Sequence, residues 1–229
     1  MGGSLARRDT AAHELMDDAG CDPQQLRNTY VQFRVVNAVL SGWGRVYRQE
    51  IRPHLHPERP RTLLDVGSGG GDVPRAFATW ARRDGLALDV LGIDADPRAV
   101  AFARELPPMP GVQFRQVLSG DLVREGRRFD FVTSNHLLHH LTADELAMLL
   151  HDSERLCAVK VLHSDLERHP WAYRLFSVAA RPFPHSFIRE DGLTSIRRSY
   201  TRAELQATVP PGWQVRPLFP FRHLLTYVA

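Results

Sequence analysis

Lysine is almost missing from this chain: of its 29 lysines and arginines only Lys160 is a lysine, so the formal charge of +3 and the pI near 9.2 rest on arginine. The arginines are spread along the chain, which describes a mildly basic surface rather than a stripe for nucleic acid. Cysteine is scarce too. Cys21 and Cys157 fall in different segments and suggest neither a disulfide framework nor a zinc site. No apolar run approaches the roughly 20 residues that a membrane span needs. The opening Met-Gly-Gly-Ser-Leu-Ala-Arg-Arg-Asp lacks the apolar core of a signal peptide. These absences point to a reduced, cytoplasmic setting. What is present, 229 residues with 43% hydrophobic and 24% charged side chains, is the make-up of a soluble globular domain of ordinary size, long enough for a full core.

Hydrophobic spacing divides the chain. From Pro23, Leu26, Tyr30, Phe33, Asn37 and Leu40, then Trp43, Tyr47 and Ile51, recur at helical steps, with Gly42 and Gly44 weakening the middle, so two helices with a bend are as consistent as one. The prolines of His56–Pro60 end this segment. Apolar runs at Thr62–Val66, Leu86–Ile93, Val112–Val117, Phe129–Thr133 and Val159–Ser164 read as strands. Helices separate them: Arg75–Asp84, one opened by Asp96-Pro97, and one opened by the capping box Thr142–Glu145, with Cys157 expected in a helix before the fifth strand. Such alternation predicts a parallel sheet covered on both faces. Beyond it, Arg168–Arg181 is helical, Pro182 to Asp191-Gly192 reads as an ordered loop, and Thr201–Glu204 is a second capping box. Val215–Phe219 and Arg222–Tyr227 flank Pro220 so closely that they must run antiparallel.

The chemistry gathers where the first strand ends, in Asp65-Val-Gly67-Ser-Gly69-Gly-Gly71-Asp72. Glycine suits backbone at positive φ or against a ligand. Asp72 is placed to cap the next helix, whose amino-terminus offers free N–H groups to a negative group. The stretch therefore reads as a cradle for a nucleotide-like ligand carrying a carboxylate or phosphate. A dinucleotide fingerprint wants glycine where Asp72 stands, which argues against an NAD-dependent oxidoreductase, and no Lys-Ser/Thr follows as in a Walker loop. Asp94 ends the second strand, in register to accept hydrogens from both ribose hydroxyls.

Leu-Leu-Asp-Val-Gly-Ser-Gly-Gly-Gly, then Leu-Gly-Ile-Asp, Ser-Gly-Asp-Leu and Phe-Asp-Phe-Val-Thr-Ser-Asn, in that order over about Arg61–Leu166, resemble the successive motifs of class I S-adenosylmethionine-dependent methyltransferases. The resemblance implies a Rossmann-like seven-stranded α/β sheet, mostly parallel with the last strand antiparallel, and S-adenosyl-L-methionine as donor, released as S-adenosyl-L-homocysteine. It further implies that Gly67, Ser68, Gly69 and Gly71 line the methionine part and that Asp65 helps hold its amine. Asp94 would hold the ribose, Ala95 would lie beside the adenine, Asp121 and Leu122 would bracket the base, and Ser134 or Asn135 would close over the amine. Glu-Leu-Met-Asp-Asp near residue 14, the Tyr30–Asn37 stretch, Ser164–Arg168 and Ile196–Thr201 resemble small bacterial methyltransferases that accompany type III polyketide synthases. The expected organisation is a helical cover over residues 1–58 and a donor-binding domain over 59–229, with an insert on the acceptor side at about 166–200.

For the methyl acceptor, His136, His139 and His140 follow the fourth strand at the carboxyl end of the sheet, where ligands bind, and each could take a phenol or enol proton. The histidine pair is a poor metal site without a partnering acid fixed with it on one helix, so a metal is not expected. Ser-Asn-His-Leu after that strand does not match the Asn/Asp-Pro-Pro-Tyr of amino-group methylation. Cytosine methylation would need a nucleophilic cysteine there, and the Arg197, Arg198, Arg202 cluster is too small to argue for RNA or DNA. Trp171, Tyr173, Phe176, Phe183, Phe187 and Tyr200 form an aromatic-rich insert that is mostly core in this reading, yet a pocket for an apolar or aromatic acceptor is usually lined this way, and Asp165, Arg168 and Arg197 could orient a polar one. Asn37, Asp17 and Asp18 in the cover suit ligand contacts. The reading is O-methylation of a small aromatic or polyketide-type molecule. C-methylation of a quinone-like molecule and a regulator that binds the donor without transfer are the alternatives, and oligomeric state stays open.

Overall fold

The computed structural model describes residues 5–229. The sheet is built first by local signals. Strand β1 (Arg61–Val66) leads into the glycine cradle and helix α3 (Asp72–Arg83), which ends before Gly85 at φ 70°. Strand β2 (Leu88–Asp94) is followed by α4 (Pro97–Glu105), capped by the Asp96 carboxylate on the Arg98 N–H at 2.8 Å, with proline as first residue. Then come β3 (Val112–Gln116), a short helix α5 (Ser119–Arg124), β4 (Phe129–Asn135) and α6 (Ala143–Leu156), the last opened by the Thr142–Glu145 capping box. Strand β5 (Cys157–Leu166) precedes α7 (Pro170–Ala179), α8 (Ile188–Arg198) and α9 (Arg202–Thr208), and β6 (Gln214–Leu218) and β7 (Arg222–Val228) close the chain.

The strand order is β3-β2-β1-β4-β5-β7-β6, with β1 to β5 parallel and β7 inserted antiparallel between β5 and β6. This is the Rossmann-like seven-stranded sheet that the motifs imply. The chain reverses strand order at β1, between β2 and β4, so the crevice beyond the carboxyl ends of β1, β2 and β4 lies at the switch point. Parallel pairing sets Asp65 beside Gly92 of β2 and Thr133 of β4.

Each face of the sheet has its own core. One packs Leu122, Leu138, Leu146, Leu150, Leu205 and Trp213 on the strands. The other packs Phe77 and Ala81 of α3 with Trp43, Val46, Tyr47, Ile51 and Leu55 from the leading segment. That segment is two helices with a break: α1 (Pro23–Leu40), capped by Asp22, and α2 (Trp43–Val46), which runs on through a π turn (Tyr47–Ile51). Gly42 makes the break at φ 73°, where a Cβ would also press on Leu218 at 3.1 Å. The second helix is thus core, while α1 crosses the mouth of the crevice.

Three expectations are corrected. Asp72 is the first helical residue of α3, and the cap position belongs to Gly71 at φ 81°. Cys157 is the first residue of β5, buried, and its thiol is pushed up to about 11 by burial. Ser119–Leu122, which follows the third strand, begins α5. Asp191-Gly192 lies inside α8 rather than in a loop. The doublet is a turn signal locally, but tertiary partners override it. The Asp191 carboxylate accepts the N–H groups of Leu15 at 2.6 Å and Met16 at 3.0 Å. Any side chain at Gly192 would meet the Phe176 ring at 2.2 Å.

Candidate active site

A cavity of about 790 Å³ opens at the carboxyl ends of the strands. Its floor is the cradle. Gly67, Gly69 and Gly71 all hold positive φ (69°, 52° and 81°), which an L side chain resists by roughly 1–2 kcal/mol. A Cβ at Gly69 would project into open space, whereas one at Gly71 would strike the Phe114 ring at 2.5 Å. Gly71 therefore shapes the turn from behind and does not line the cavity, unlike Gly67, Ser68, Gly69 and Gly70. The buried Ser68 hydroxyl has no hydrogen-bond partner. A polar atom left so costs about 1–3 kcal/mol, and a ligand in the cradle would relieve it.

Carboxylates crowd this end. Asp65 is fully buried; Thr133 Oγ1 donates to its Oδ1 at 2.6 Å, yet burial, with Asp72 and Asp94 nearby, pushes its pKa up to about 7. Burial raises Asp72 also, against a hydrogen bond from Asn37 Nδ2 at 2.9 Å. Asp94 is raised by burial too, although it accepts the N–H groups of Gly69 (2.8 Å) and Asp96 (2.9 Å). Each Asp94 oxygen retains a second lone pair for a diol. Three acids whose proton affinity is raised in this way form a place for a positive charge and for hydroxyls.

Ala95, Asp121 and Asn135 line the same cavity, but Leu122 and Ser134 do not. Leu122 is wholly buried in the core under α5, and the wall there is made by Val117 and Leu118 instead. The Ser134 hydroxyl faces the other way, to His163 Nδ1 at 2.8 Å. Asp121 accepts the Leu118 N–H at 2.9 Å and pairs with Arg124.

The opposite wall is apolar and basic. It is made by Phe33 and Leu40 of α1, Leu175 and Phe176 of α7, Phe221 after β6, and the three histidines. Of the aromatic insert only Phe176 reaches it: Trp171 is 56% exposed, and Phe187 and Tyr200 are packed into the core. Arg168 is bonded to Ser199 O and Glu204, and Arg197 to Thr194 and Asp9, so neither orients an acceptor. Asp18, exposed, accepts the Gly20 N–H and is not on the wall, whereas Asp17 is.

The histidines differ in kind. His136, at φ 58°, is half-buried, and desolvation and the Arg222 charge hold its pKa well below 6.5. Its Nε2 lone pair accepts from Arg222 at 2.9 Å, so it is not free to act as a base. Arg222, itself fully buried, also donates to Asn135 Oδ1 at 2.6 Å and Ser164 Oγ at 3.1 Å, and Asn135 reaches Asn37 at 3.3 Å. A continuous chain of hydrogen bonds thus ties α1 to the cradle and to β7. His139 is buried between two acids: its Nδ1 donates to Asp165 Oδ1 at 2.7 Å and its Nε2 lies 3.2 Å from Glu14 Oε1. Burial opposes its charge, but Asp165 and Glu14 outweigh that and push the imidazole up to about 9. His140 is partly exposed to the cavity, with Nδ1 3.2 Å from Asp17 and Nε2 3.7 Å from Glu14.

Glu14 and Arg222 carry no signal in the sequence that marks them as site residues. Glu14 sits in an acidic stretch without periodicity, and Arg222 is one arginine among many in a strand. Only the fold brings them to the histidines.

Residues 63–160 match the family described as "Methyltransferase domain". The chain is 34% identical over 121 residues to a ubiquinone biosynthesis O-methyltransferase of Cereibacter sphaeroides, covering 52% of this chain and 46% of that protein. It is 33% identical over 114 residues to a tRNA U34 carboxymethyltransferase of Alcanivorax borkumensis, covering 48% and 33%. The chain thus spans about a third to a half of the length of the curated relatives it matches. Among solved structures, it is similar to the plantazolicin methyltransferase BpumL in complex with SAH, at a TM-score of 0.60, 12% identity and coverage of 90% and 95%. It is also similar to human N-acetylserotonin methyltransferase in complex with SAM, at 0.62, 14% identity and coverage of 98% and 65%. These likenesses set the fold, a Rossmann-like sheet shared with methyltransferases of known structure, and the family match falls on the stretch that builds the cradle.

Proposed function

We propose that the chain is an S-adenosylmethionine-dependent methyltransferase that acts on a hydroxyl oxygen of a small aromatic or polyketide-type molecule. The observation that carries this reading is the cavity with the glycine cradle and Asp94 at one side and the aromatic and histidine–carboxylate wall at the other. The donor fits the residues present: the Ser68 hydroxyl lacks a partner, Gly69 leaves room, and the acids suit an ammonium group, a sulfonium and a ribose. When bound, S-adenosylmethionine supplies an activated methyl group on a positively charged sulfur. Gly67, Ser68 and Gly69 then hold the methionine part, Asp65 and Asn135 its amine, and Asp94 the ribose. Ala95, Asp121, Val117 and Leu118 surround the base.

The rest of the work is positioning. Holding two reactants in line can supply about 7–11 kcal/mol in the best cases. Helix α1, tied by Asn37 to Asp72 and Asn135, closes the donor from above and excludes water. Phe33, Phe176 and Phe221 receive an apolar ring, and the Glu14–His139–His140–Asp17 cluster takes up the proton of its hydroxyl. In this reading residues 1–58 act as cover, 59–229 as the donor-binding unit and about 166–200 as the acceptor side. The name of the ubiquinone biosynthesis relative supports transfer to oxygen.

The test is incubation with radiolabelled donor and, separately, phenols, pyrones and RNA. Label in a phenol or pyrone hydroxyl is expected. Label in RNA alone, or failure to bind both S-adenosylmethionine and its demethylated product, would sink the proposal.

A further inference from the structure

The three residues Glu14, His139 and His140 come from ends of the chain far apart in sequence, yet each offers a ligand atom and these atoms all lie within 4.8 Å of one another. We propose that they form a binding site for one divalent transition cation of the Zn2+ type on the acceptor wall of the cavity. Two imidazoles and a carboxylate are the donor set such ions take, with bonds of about 2.0–2.2 Å; tetrahedral ligands then stand about 3.4 Å apart. Here Glu14 Oε1 is 3.2 Å from His139 Nε2 and Glu14 Oε2 is 3.7 Å from His140 Nε2. The atoms are at coordination spacing before anything moves.

What lies behind the ligands supports the same assignment. Metal-binding imidazoles give their other nitrogen to a carboxylate, which fixes the tautomer and turns the free nitrogen to the ion. His139 Nδ1 donates to Asp165 at 2.7 Å, and the backbone N–H of His139 donates to the same carboxylate at 2.8 Å, so the ring is located twice. His140 Nδ1 lies 3.2 Å from Asp17, and Glu14 Oε1 accepts from Ser195 Oγ at 2.8 Å. All three ligands are thus oriented from outside. The atom left over is His139 Nε2, buried and without an aligned hydrogen bond: its approach to Glu14 is close but not directed as a donor.

The three ligands line the cavity, so a fourth position faces it. Resting on the methyl-transfer reading, that position takes the acceptor as an oxyanion: with the imidazoles and Glu14 on the ion they no longer serve as the base, so the O–H bond breaks, the proton leaves to solvent and the oxygen bonds the ion. Nothing is oxidised or reduced.

The test is titration of the tag-free, chelator-treated protein with Zn2+ by calorimetry and with Co2+ by visible absorption, alongside S-adenosylhomocysteine binding on the same sample. One saturable equivalent is expected, with Co2+ ligand-field bands, and Glu14→Gln and His140→Ala should each weaken it at least tenfold while still folding and binding S-adenosylhomocysteine. Absence of saturable metal binding, or the same stoichiometric binding in both variants, overturns the site. Loss of S-adenosylhomocysteine binding by the unaltered protein would instead overturn the methyl-transfer reading and leave the metal result standing.

Discussion

Asp65 is where stability and ligand binding pull against each other. The carboxyl is fully buried, with a single strong donor in Thr133 at 2.6 Å, and Asp72 and Asp94 add negative charge nearby. Its pKa stands at about 7 instead of 3.8. The native state therefore keeps a proton between those values that the unfolded chain has lost. The sign follows: the Asp65 contribution to ligand-free stability falls as pH rises from about 4 through 7, by about 4 kcal/mol. Asp65→Asn removes that loss, because an amide oxygen still accepts from Thr133 and carries no charge to desolvate. The variant is expected to melt higher than the unaltered protein at about pH 8 and at much the same temperature near pH 5, once a structural offset is taken from the lower pH. Donor binding should move oppositely. An ammonium group needs the ionised acid, so affinity for S-adenosylhomocysteine should rise about tenfold per pH unit below about 7 and level off above, until the ligand's own amine titrates near about 8. Asp65→Asn should bind more weakly at pH 8 and lose the lower limb. The measurements are thermal unfolding across pH and calorimetric binding by both proteins. A variant that is no more stable at pH 8 than at pH 5, relative to the parent, refutes the desolvation argument. One that keeps the parent's binding profile refutes the assignment of the amine to Asp65.

Further tests address other residues. Asp94→Ala should lower donor affinity by roughly 1–3 kcal/mol, the worth of charge-assisted hydrogen bonds, and unchanged calorimetric binding would remove the ribose assignment. Gly71→Ala adds a strained φ and a Cβ 2.5 Å from Phe114, and should cost about 2–4 kcal/mol in urea unfolding. Adding Phe114→Leu should recover part of that loss; no recovery would leave φ alone as its cause. His163 is buried neutral between Ser134 (2.8 Å) and Ser153 (3.0 Å), with burial lowering its pKa to about 3. The unfolded state gains this proton first as pH falls, so the His163 contribution to stability should drop by about 2 kcal/mol between about pH 6.5 and 5, and the stability difference between His163→Asn and the parent in urea titrations should grow in the variant's favour by that amount. His140→Ala should reduce turnover by about 10²–10⁴-fold with S-adenosylhomocysteine affinity unchanged, and full activity there would leave positioning as the whole mechanism.

The sequence by itself determined the sheet and the glycine cradle, because those rest on local rules. Alternating apolar runs specify parallel strands, the Asp96-Pro97 pair and the Thr142–Glu145 box start helices, and glycines at alternate positions demand a turn in any surroundings. Asp94 was legible because its distance from the glycines is set by one strand-helix-strand unit. Gly71, Leu122 and Ser134 show the limit: a motif names the stretch, but which side chains face the cavity depends on the packing behind it, where Phe114, the α5 core and His163 claim them. The acceptor side was legible only as three histidines and a set of aromatics. Tertiary structure alone decided that His136 is occupied by Arg222, that His139 is clasped by Asp165 and Glu14, and that Asp191-Gly192 is helical. The reason is physical. Those outcomes depend on burial and on charges from Glu14, Asp165 and Arg222, contributed by remote parts of the chain, and neither acts until the chain has folded around them.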